Sequence, residues 1–319
     1  MTPTVEAGVA EAYVDLRPLL FSIAYRMLGS VSEAEDVVQE AFVRYQRALG
    51  ESGGADGGTH IESPKAYLSA VVTRLAIDQL KSARVRRETY VGEWLPEPLV
   101  TDEGAGDPAE LAEQADSLSM SFLVLLERLT PVERAIFLLH DVFDYSFDEV
   151  GTIVHKSPEN CRQQAVRARR FIAENRPRFD ADKEERDQLL GRFFAAAERG
   201  DVDGLIGVLA ADAIAYGDGG GKVPQWYAPI VGADKVARLF AQLGRQTETL
   251  GATFERHEVN GQPGVIFRSP NGGIFSVMSF EVIDGRVATI RSVVNPDKLH
   301  HLGPVESLRD VMDSAHRAD

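Results

Sequence analysis

Between Ser157 and Arg170 the chain concentrates amide and guanidinium side chains, Asn160, Arg162, Gln163, Gln164, Arg167, Arg169 and Arg170. Such groups make bidentate hydrogen bonds to base edges in the major groove, and further cations neutralise phosphates. They follow an apolar segment, FDEVGTIV (147–154), and a short turn, His155-Lys156-Ser157. That order is a helix-turn-helix whose second helix enters the groove. On its own it suits a repressor equally well. A second set of cations, Arg74, Lys81, Arg84, Arg86 and Arg87, lies in SPKAYLSAVVTRLAIDQLKSARVRRE (63–88). There Arg74, Asp78 and Lys81 stand at i, i+4 and i+7 beside an apolar stripe of Leu68, Val71, Val72, Leu75 and Leu80. One face of this helix packs and its neighbour meets DNA.

The net charge of −15 and pI near 5.0 taken alone argue against a nucleic-acid partner. The distribution reverses that impression. Arg74 to Arg87 carries five Lys/Arg against one acid and Lys156 to Arg176 six against two, while Glu88 to Glu127 holds ten Asp/Glu and no Lys/Arg. Two basic islands around an acidic strip make a footprint for two separate DNA contacts, with the strip disfavouring DNA binding by the free chain. One cysteine, Cys161, and seven histidines without ligand spacing imply a reduced compartment, no metal and no cofactor. Apolar runs fall short of the roughly 18 residues a membrane helix needs. The start lacks the basic n-region of a signal peptide, so a cytoplasmic protein with no membrane partner is expected.

The elements that position these residues announce themselves by capping boxes, in which a Ser/Thr and an acid three residues later satisfy orphan backbone donors. They begin at Ser32, Thr130, Ser146 and, less perfectly, Ser157, and Ser63-Pro64 opens a further helix. The spacing predicts helices over 11–28, 33–48, 64–86, 109–128, 131–143, 147–154 and 158–174. Gly50 to His60 is a glycine-rich loop. Tyr90 to Pro108 is a Pro/Gly/acid linker with one apolar island, Trp94-Leu95-Pro96-Glu97-Pro98, which a solvated linker would not need and which therefore docks. Beyond Arg176 the pattern changes to helices at 185–199 and 202–209, then strands near Ala213, Ala252, Val265, Ile274 and Val287. Asn271-Gly272-Gly273 and Asp284-Gly285 mark hairpin turns. An all-α half is thus joined to an α+β half.

FSIAYRMLGSVSEAEDVVQEAFVRYQRA with AYLSAVVTRLAIDQLKSARVRR resembles region 2 of the extracytoplasmic-function sigma factors, of the sigma-70 type. LTPVERAIFLLHDVFDYSFDEVGTIVHKSPENCRQQAVRARR resembles their region 4. The resemblance covers about the first 176 residues and implies two partners, core RNA polymerase (clamp helices of the largest subunit, and the flap) and promoter DNA. By the same resemblance Asp36, Gln39 and Glu40 bind the clamp helices, and Arg74, Asp78, Lys81, Arg84, Arg86 and Arg87 serve recognition and melting of the minus-ten element. Ser157, Glu159, Asn160, Arg162, Gln163, Arg167 and Arg170 fall to the minus-thirty-five element. Many members have Arg-Asn where this chain has Thr73-Arg74, which leaves open which minus-ten base is flipped and read.

The remaining residues resemble a SnoaL-like, NTF2-like cone fold. Trp94-Leu95-Pro96-Glu97-Pro98, Asp218-Gly219-Gly220-Gly221-Lys222 and Asn295-Pro296-Asp297-Lys298-Leu299 resemble the signature of the subgroup in which such a domain is fused in place of a separate anti-sigma protein. Asp218 to Lys222 is no phosphate loop, since Tyr216 and Val223 occupy the positions that would need Gly and Ser/Thr. It reads as a tight turn and docking surface, with the Trp94 island packing near both C-terminal motifs. An enzymatic or small-molecule-sensing alternative would use a pocket lined by Tyr216, Asp218, Trp226, Tyr227 and His257, although no spacing commits any pair to catalysis, so no enzyme is expected. The expected organisation is region 2 over 1–90, linker over 91–110, region 4 over 111–178, cone domain over 179–302 and an exposed helical tail over 303–319.

Overall fold

The computed structural model describes residues 3–52, 61–88, 90–101, 117–175 and 183–318. It divides into two compact units, Met1–Glu88 with Leu123–Arg176, and Thr89–Phe122 with Pro177–Asp319. The linker up to Phe122 therefore belongs with the C-terminal half.

The first unit is helical: α1 Pro3–Leu28, α2 Val31–Ser52, α3 Pro64–Glu88, α4 Met120–Leu126 (shared at its start with the second unit), α5 Pro131–Phe137, α6 Phe147–Val154 and α7 Pro158–Asn175. Leu20, Ile23 and Leu28 of α1, Val38 and Phe42 of α2, and Leu68 and Val72 of α3 are buried, each contributing about 1.5–3 kcal/mol. The capping boxes at Thr130/Glu133 and Ser146/Glu149 form. Ser63 and Ser157 accept from the amides of Ala66 and Asn160. The cap of α2 is Ser30 rather than Ser32: its hydroxyl accepts from the Glu33 amide at 3.1 Å, because the helix begins two residues earlier than expected, at Val31. The helix expected over 131–143 is α-helical only to Phe137 and finishes as a π-turn over Leu138–Val142. Of the helix expected over 109–128, residues 109–116 lie outside the described residues, as does most of the Gly50 to His60 loop.

The second unit is α+β. Helices α8 Lys183–Glu198, α9 Val202–Val208 and α10 Ala233–Thr249 pack on a curved sheet of β1 Leu209–Asp218, β2 Ile230–Val231, β3 Thr253–Val259, β4 Gln262–Arg268, β5 Ile274–Ile283 and β6 Arg286–Val293. The order is β2-β1-β6-β5-β4-β3, with β1 and β6 parallel and the other pairs antiparallel. Phe193, Leu205, Phe240, Phe280 and Ile290 centre its core. Asp284-Gly285 (φ 50 and 67) turns β5 into β6, and Asn260-Gly261 (φ 55 and 67) does the same between β3 and β4. The tail is not exposed throughout: Glu306 pairs back to Ile274, and Val311 of α11 Leu308–Ala318 is only 2% exposed within the core. An amphipathic helix buries its apolar face wherever the fold offers one.

Candidate functional site

The helix-turn-helix of the first unit is set by its caps and its turn. His155 closes α6 in the left-handed conformation (φ 56, ψ 49), and α7 starts at Pro158. Cys161, Gln164, Ala165, Ala168 and Ile172 form the buried face of α7. Glu159, Asn160, Arg162, Gln163, Arg167 and Arg170 are exposed together on the other, with Ser157 exposed just before the helix. Gln164, an amide of the type that reads bases, is thus turned inward, where it donates to Asn160. Val166, 61% exposed, shares the polar face and is a residue that a search for amides and cations passes over. Arg162 lies 3.5 Å from Glu159 and over the Phe147 ring, Arg170 pairs with Glu174 at 2.9 Å, and Arg169 is tied back to Asp141 at 2.5 Å.

On α3, Lys81 pairs with Asp78 at 2.9 Å and both are exposed. Arg74 is engaged differently. Its guanidinium donates to the carbonyl oxygens of Ile153 and Thr152, both at 2.9 Å, at the C-terminal end of α6, where orphan carbonyls attract a cation. The neighbouring Thr73 is fully buried, and its hydroxyl has no partner among the described residues. The side chains of Arg84, Arg86 and Arg87 lie outside the described residues. The same two groups of helices are fastened by a Ser69–Tyr145 hydroxyl bond of 2.7 Å and by buried Arg134, which donates to the Met27 carbonyl at 2.5 Å and to Glu127 at 2.8 Å. On α2, Asp36 and Gln39 are exposed and Glu40, half-buried, pairs with Arg44 at 2.8 Å. Val43, 38% exposed, continues that face at i+7 from Asp36.

The second unit brings the three short motifs together. Asp218, at the end of β1, is wholly buried, and its carboxylate accepts from the Tyr90 hydroxyl (2.5 Å), the Leu95 amide (2.9 Å), the Gly220 amide (3.1 Å) and the Lys298 ammonium (2.7 Å). Lys298 also donates to the Leu95 carbonyl and lies 4.3 Å from the Trp94 ring centroid and 5.1 Å from that of Tyr90. The linker thereby supplies aromatic faces and backbone groups to a buried ion pair, the arrangement that makes such a pair tolerable away from water. Asn295 donates to the Tyr90 hydroxyl at 3.0 Å, and Lys222 pairs with Asp297. Burial first, then the charge of Asp218 and the hydrogen bond to it, hold the Tyr90 phenol well above its usual pKa. The glycines are dictated by contact as well as by conformation: Gly220 (φ +59) and Gly221 (φ +70) lie where a Cβ would come within 2.4 Å of Asn295 and 3.0 Å of Val91. Leu95, Pro96, Glu97 and Pro98 are buried, and Leu299 is fully so.

Three holdfasts have no motif to announce them. Asn260, buried in the β3–β4 turn, accepts from the Leu99 amide at 3.0 Å and donates to the Leu118 carbonyl at 3.1 Å, gripping the linker on both sides of its undescribed stretch. His301 bonds the Pro98 carbonyl at 2.8 Å. Buried Arg291 pairs with Glu281 at 2.5 Å and donates to Ser121 at 2.8 Å.

A cavity of about 920 Å³ opens in the same unit. Of the residues expected to line a pocket, only Trp226 does so, while Tyr216, Asp218, Tyr227 and His257 do not. Asp218 is consumed by the linker, Tyr216 stacks under Arg291 at 5.3 Å, and Tyr227 is exposed. Alternation along β1 turns Tyr216 and Asp218 away from the cavity, alternation along β3 does the same for His257, and Tyr227 lies in the loop before β2. Among the described residues no group of three or more His, Cys, Asp or Glu could hold a metal ion, and no helix is long and apolar enough to cross a membrane.

Residues 12–86 match the family Sigma-70 region 2, and residues 119–172 match Sigma-70, region 4. The chain is 36% identical over 291 residues to the ECF RNA polymerase sigma factor SigJ of Mycobacterium tuberculosis, covering 89% of this chain and 90% of that protein. It is 31% identical over 301 residues to the probable ECF RNA polymerase sigma factor SigI of the same species, covering 92% and 96%. The crystal structure of SigJ superposes with a TM-score of 0.70 at 33% identity, over 93% of this chain and 100% of that one.

Proposed function

This chain belongs to the extracytoplasmic-function family of RNA polymerase sigma factors, and we propose that its C-terminal α+β domain regulates initiation through the linker it holds, in place of a separate anti-sigma protein. Regions 2 and 4 imply core RNA polymerase and promoter DNA as partners, and the chain acts with them in the cytoplasm. In this reading α7 reads the minus-thirty-five element with Ser157, Glu159, Asn160, Arg162, Gln163, Arg167 and Arg170, and Val166 meets a thymine methyl. The α3 set of Arg74, Asp78, Lys81, Arg84, Arg86 and Arg87 serves the minus-ten element. Asp36, Gln39, Glu40 and Val43 form the docking face for the clamp helices, and region 4 meets the flap.

The observation that carries the regulatory reading is the Asp218–Lys298 pair closed over by Tyr90, Trp94 and Leu95. Residues 90–122 join the two DNA-reading modules in sequence. Fixing that tether sets the effective concentration of one contact with respect to the other. Arg74 adds a second control, because a guanidinium committed to the Thr152 and Ile153 carbonyls must leave them before it can reach DNA. The domain is a regulator and not an enzyme in this reading: the acid–base candidates lie away from the cavity.

The test is transcription in vitro with bacterial core polymerase, comparing the full chain with Trp94→Ala. A change in promoter output with the far-ultraviolet circular dichroism retained is expected. Unaltered output would refute the role given to the linker.

A further inference from the structure

We propose that the cavity of the C-terminal domain is a binding site for an uncharged, largely apolar ring compound bearing a carbonyl or hydroxyl oxygen, held in part by the C-terminal helix α11. Protein interiors pack as densely as organic crystals, and a void of about 920 Å³ stands at the upper end of the range for small-molecule sites. Its wall is aromatic: Phe193, Phe194, Phe240, Phe254, Phe267 and Phe275 all contribute. Their rings meet in stacked and edge-on pairs, as between Phe194 and Phe254 at 4.9 Å, a surface suited to another flat ring.

The polar groups define the rest of the ligand. The charged lining residues Glu198, Arg199 and Glu248 are all solvent-exposed, so among the described residues no buried lining charge awaits a counter-charge. Deeper, Ser276 is 2% exposed and its hydroxyl has no hydrogen-bond partner among the described residues. The Trp226 indole N–H is likewise buried, with no hydrogen-bond partner among the described residues. Both residues line this cavity. A buried donor left unsatisfied is costly, whereas a ligand oxygen would meet it, and an indole N–H can only donate. Leu308 and Met312 of α11 complete the wall, so an occupant touches the tail helix directly. This site is separate from the linker cluster, and its test reads binding alone, so it stands or falls apart from the regulatory reading.

The full chain is titrated with N-phenyl-1-naphthylamine, a neutral flat fluorophore, and the probe is then displaced by neutral ring ketones and by their hydrocarbon analogues. One probe site per chain is expected, with the ketones displacing about tenfold better than the hydrocarbons, the worth of one buried hydrogen bond. Ser276→Ala is expected to remove most of that preference while raising the thermal midpoint of the empty protein, a combination that a structural hydroxyl would not produce. Ser276→Leu, which puts apolar bulk where the hydroxyl stood, is expected to weaken probe binding and to remove the ketone preference with circular dichroism unchanged. Failure of the probe to bind, displacement by long-chain fatty acids alone, or a Ser276→Ala protein that is less stable and equally selective would each overturn the proposal.

Discussion

Removing either member of the Asp218–Lys298 pair is predicted to free the linker, and the cost follows from what each leaves behind. Both side chains are nearly inaccessible, 0% and 8% exposed, and lie 2.7 Å apart. Breaking a buried pair by deleting one partner costs about 3–5 kcal/mol, because the survivor is a buried charge without compensation. Lys298→Met leaves the carboxylate with the Tyr90 hydroxyl and the amides of Leu95 and Gly220, which places it near the lower end of that range. Asp218→Asn sits toward the upper end. Its amide nitrogen is forced against donors, and the ammonium loses its counter-charge while keeping the Leu95 carbonyl and the aromatic faces. The double variant holds no buried charge at this point, so its cost should not exceed that of the worse single change, a coupling of about 3 kcal/mol. Trp94 and Trp226 are the two tryptophans of the chain, so urea titration in a Trp226→Phe background reads Trp94 alone. Single costs that simply add, to within about 0.5 kcal/mol, would refute the reasoning.

Three further outcomes are expected. The raised Tyr90 pKa means that the folded form binds its proton more tightly than the unfolded form. Its contribution is therefore complete below the unfolded phenol value of about 10 and is lost as pH rises beyond it, and Tyr90→Phe should remove that alkaline loss in stability titrations followed at Trp94. Burial raises the Cys161 thiol pKa, so dithionitrobenzoate should react with it at neutral pH only as the first unit unfolds; rapid labelling of the folded chain would show that α7 is not seated as described. Gln163→Ala should relax base preference in the minus-thirty-five element by about 1–3 kcal/mol, while Arg167→Ala should weaken all sequences alike and lower the salt slope by about one, both measured by filter binding of the polymerase complex across salt concentrations.

What the sequence made legible follows from which interactions are local. Capping boxes at Thr130 and Ser146 are settled within four residues and form as read, and the Asp284-Gly285 turn needs only two. The one shifted cap, Ser30 for Ser32, arose where two serines compete within a single turn. The region 2 and region 4 patterns were visible because amphipathic helices repeat their burial every turn, whereas α10 went unmarked although Val236, Ala237, Phe240 and Ala241 carry the same spacing. Asn260-Gly261 carries a hairpin signal in its residue types, yet its grip on Leu99 and Leu118 spans over 140 positions and leaves no local trace. For the same reason Tyr90, His301 and Ser121 could not be found by motif, although the motifs around Trp94, Asp218 and Lys298 did indicate where they would converge. The pocket reading failed in the opposite way: Tyr216, Tyr227 and His257 have catalytic chemistry, but strand alternation and loop exposure turn them from the concave face.

The most direct measurement is initiation itself. The full chain, bacterial core polymerase and a promoter selected from a random library would be combined in a run-off assay, with core alone and an Arg74→Ala chain in parallel. A chain ending at Arg176 is a poorer control, because it strips buried Leu95 of Asp218 and Lys298, to which its backbone is bonded. The account predicts a discrete transcript that requires the chain, falls with Arg74→Ala and starts downstream of recovered minus-thirty-five and minus-ten elements. The same products from core polymerase alone, or a selected pool with no shared elements, would contradict it.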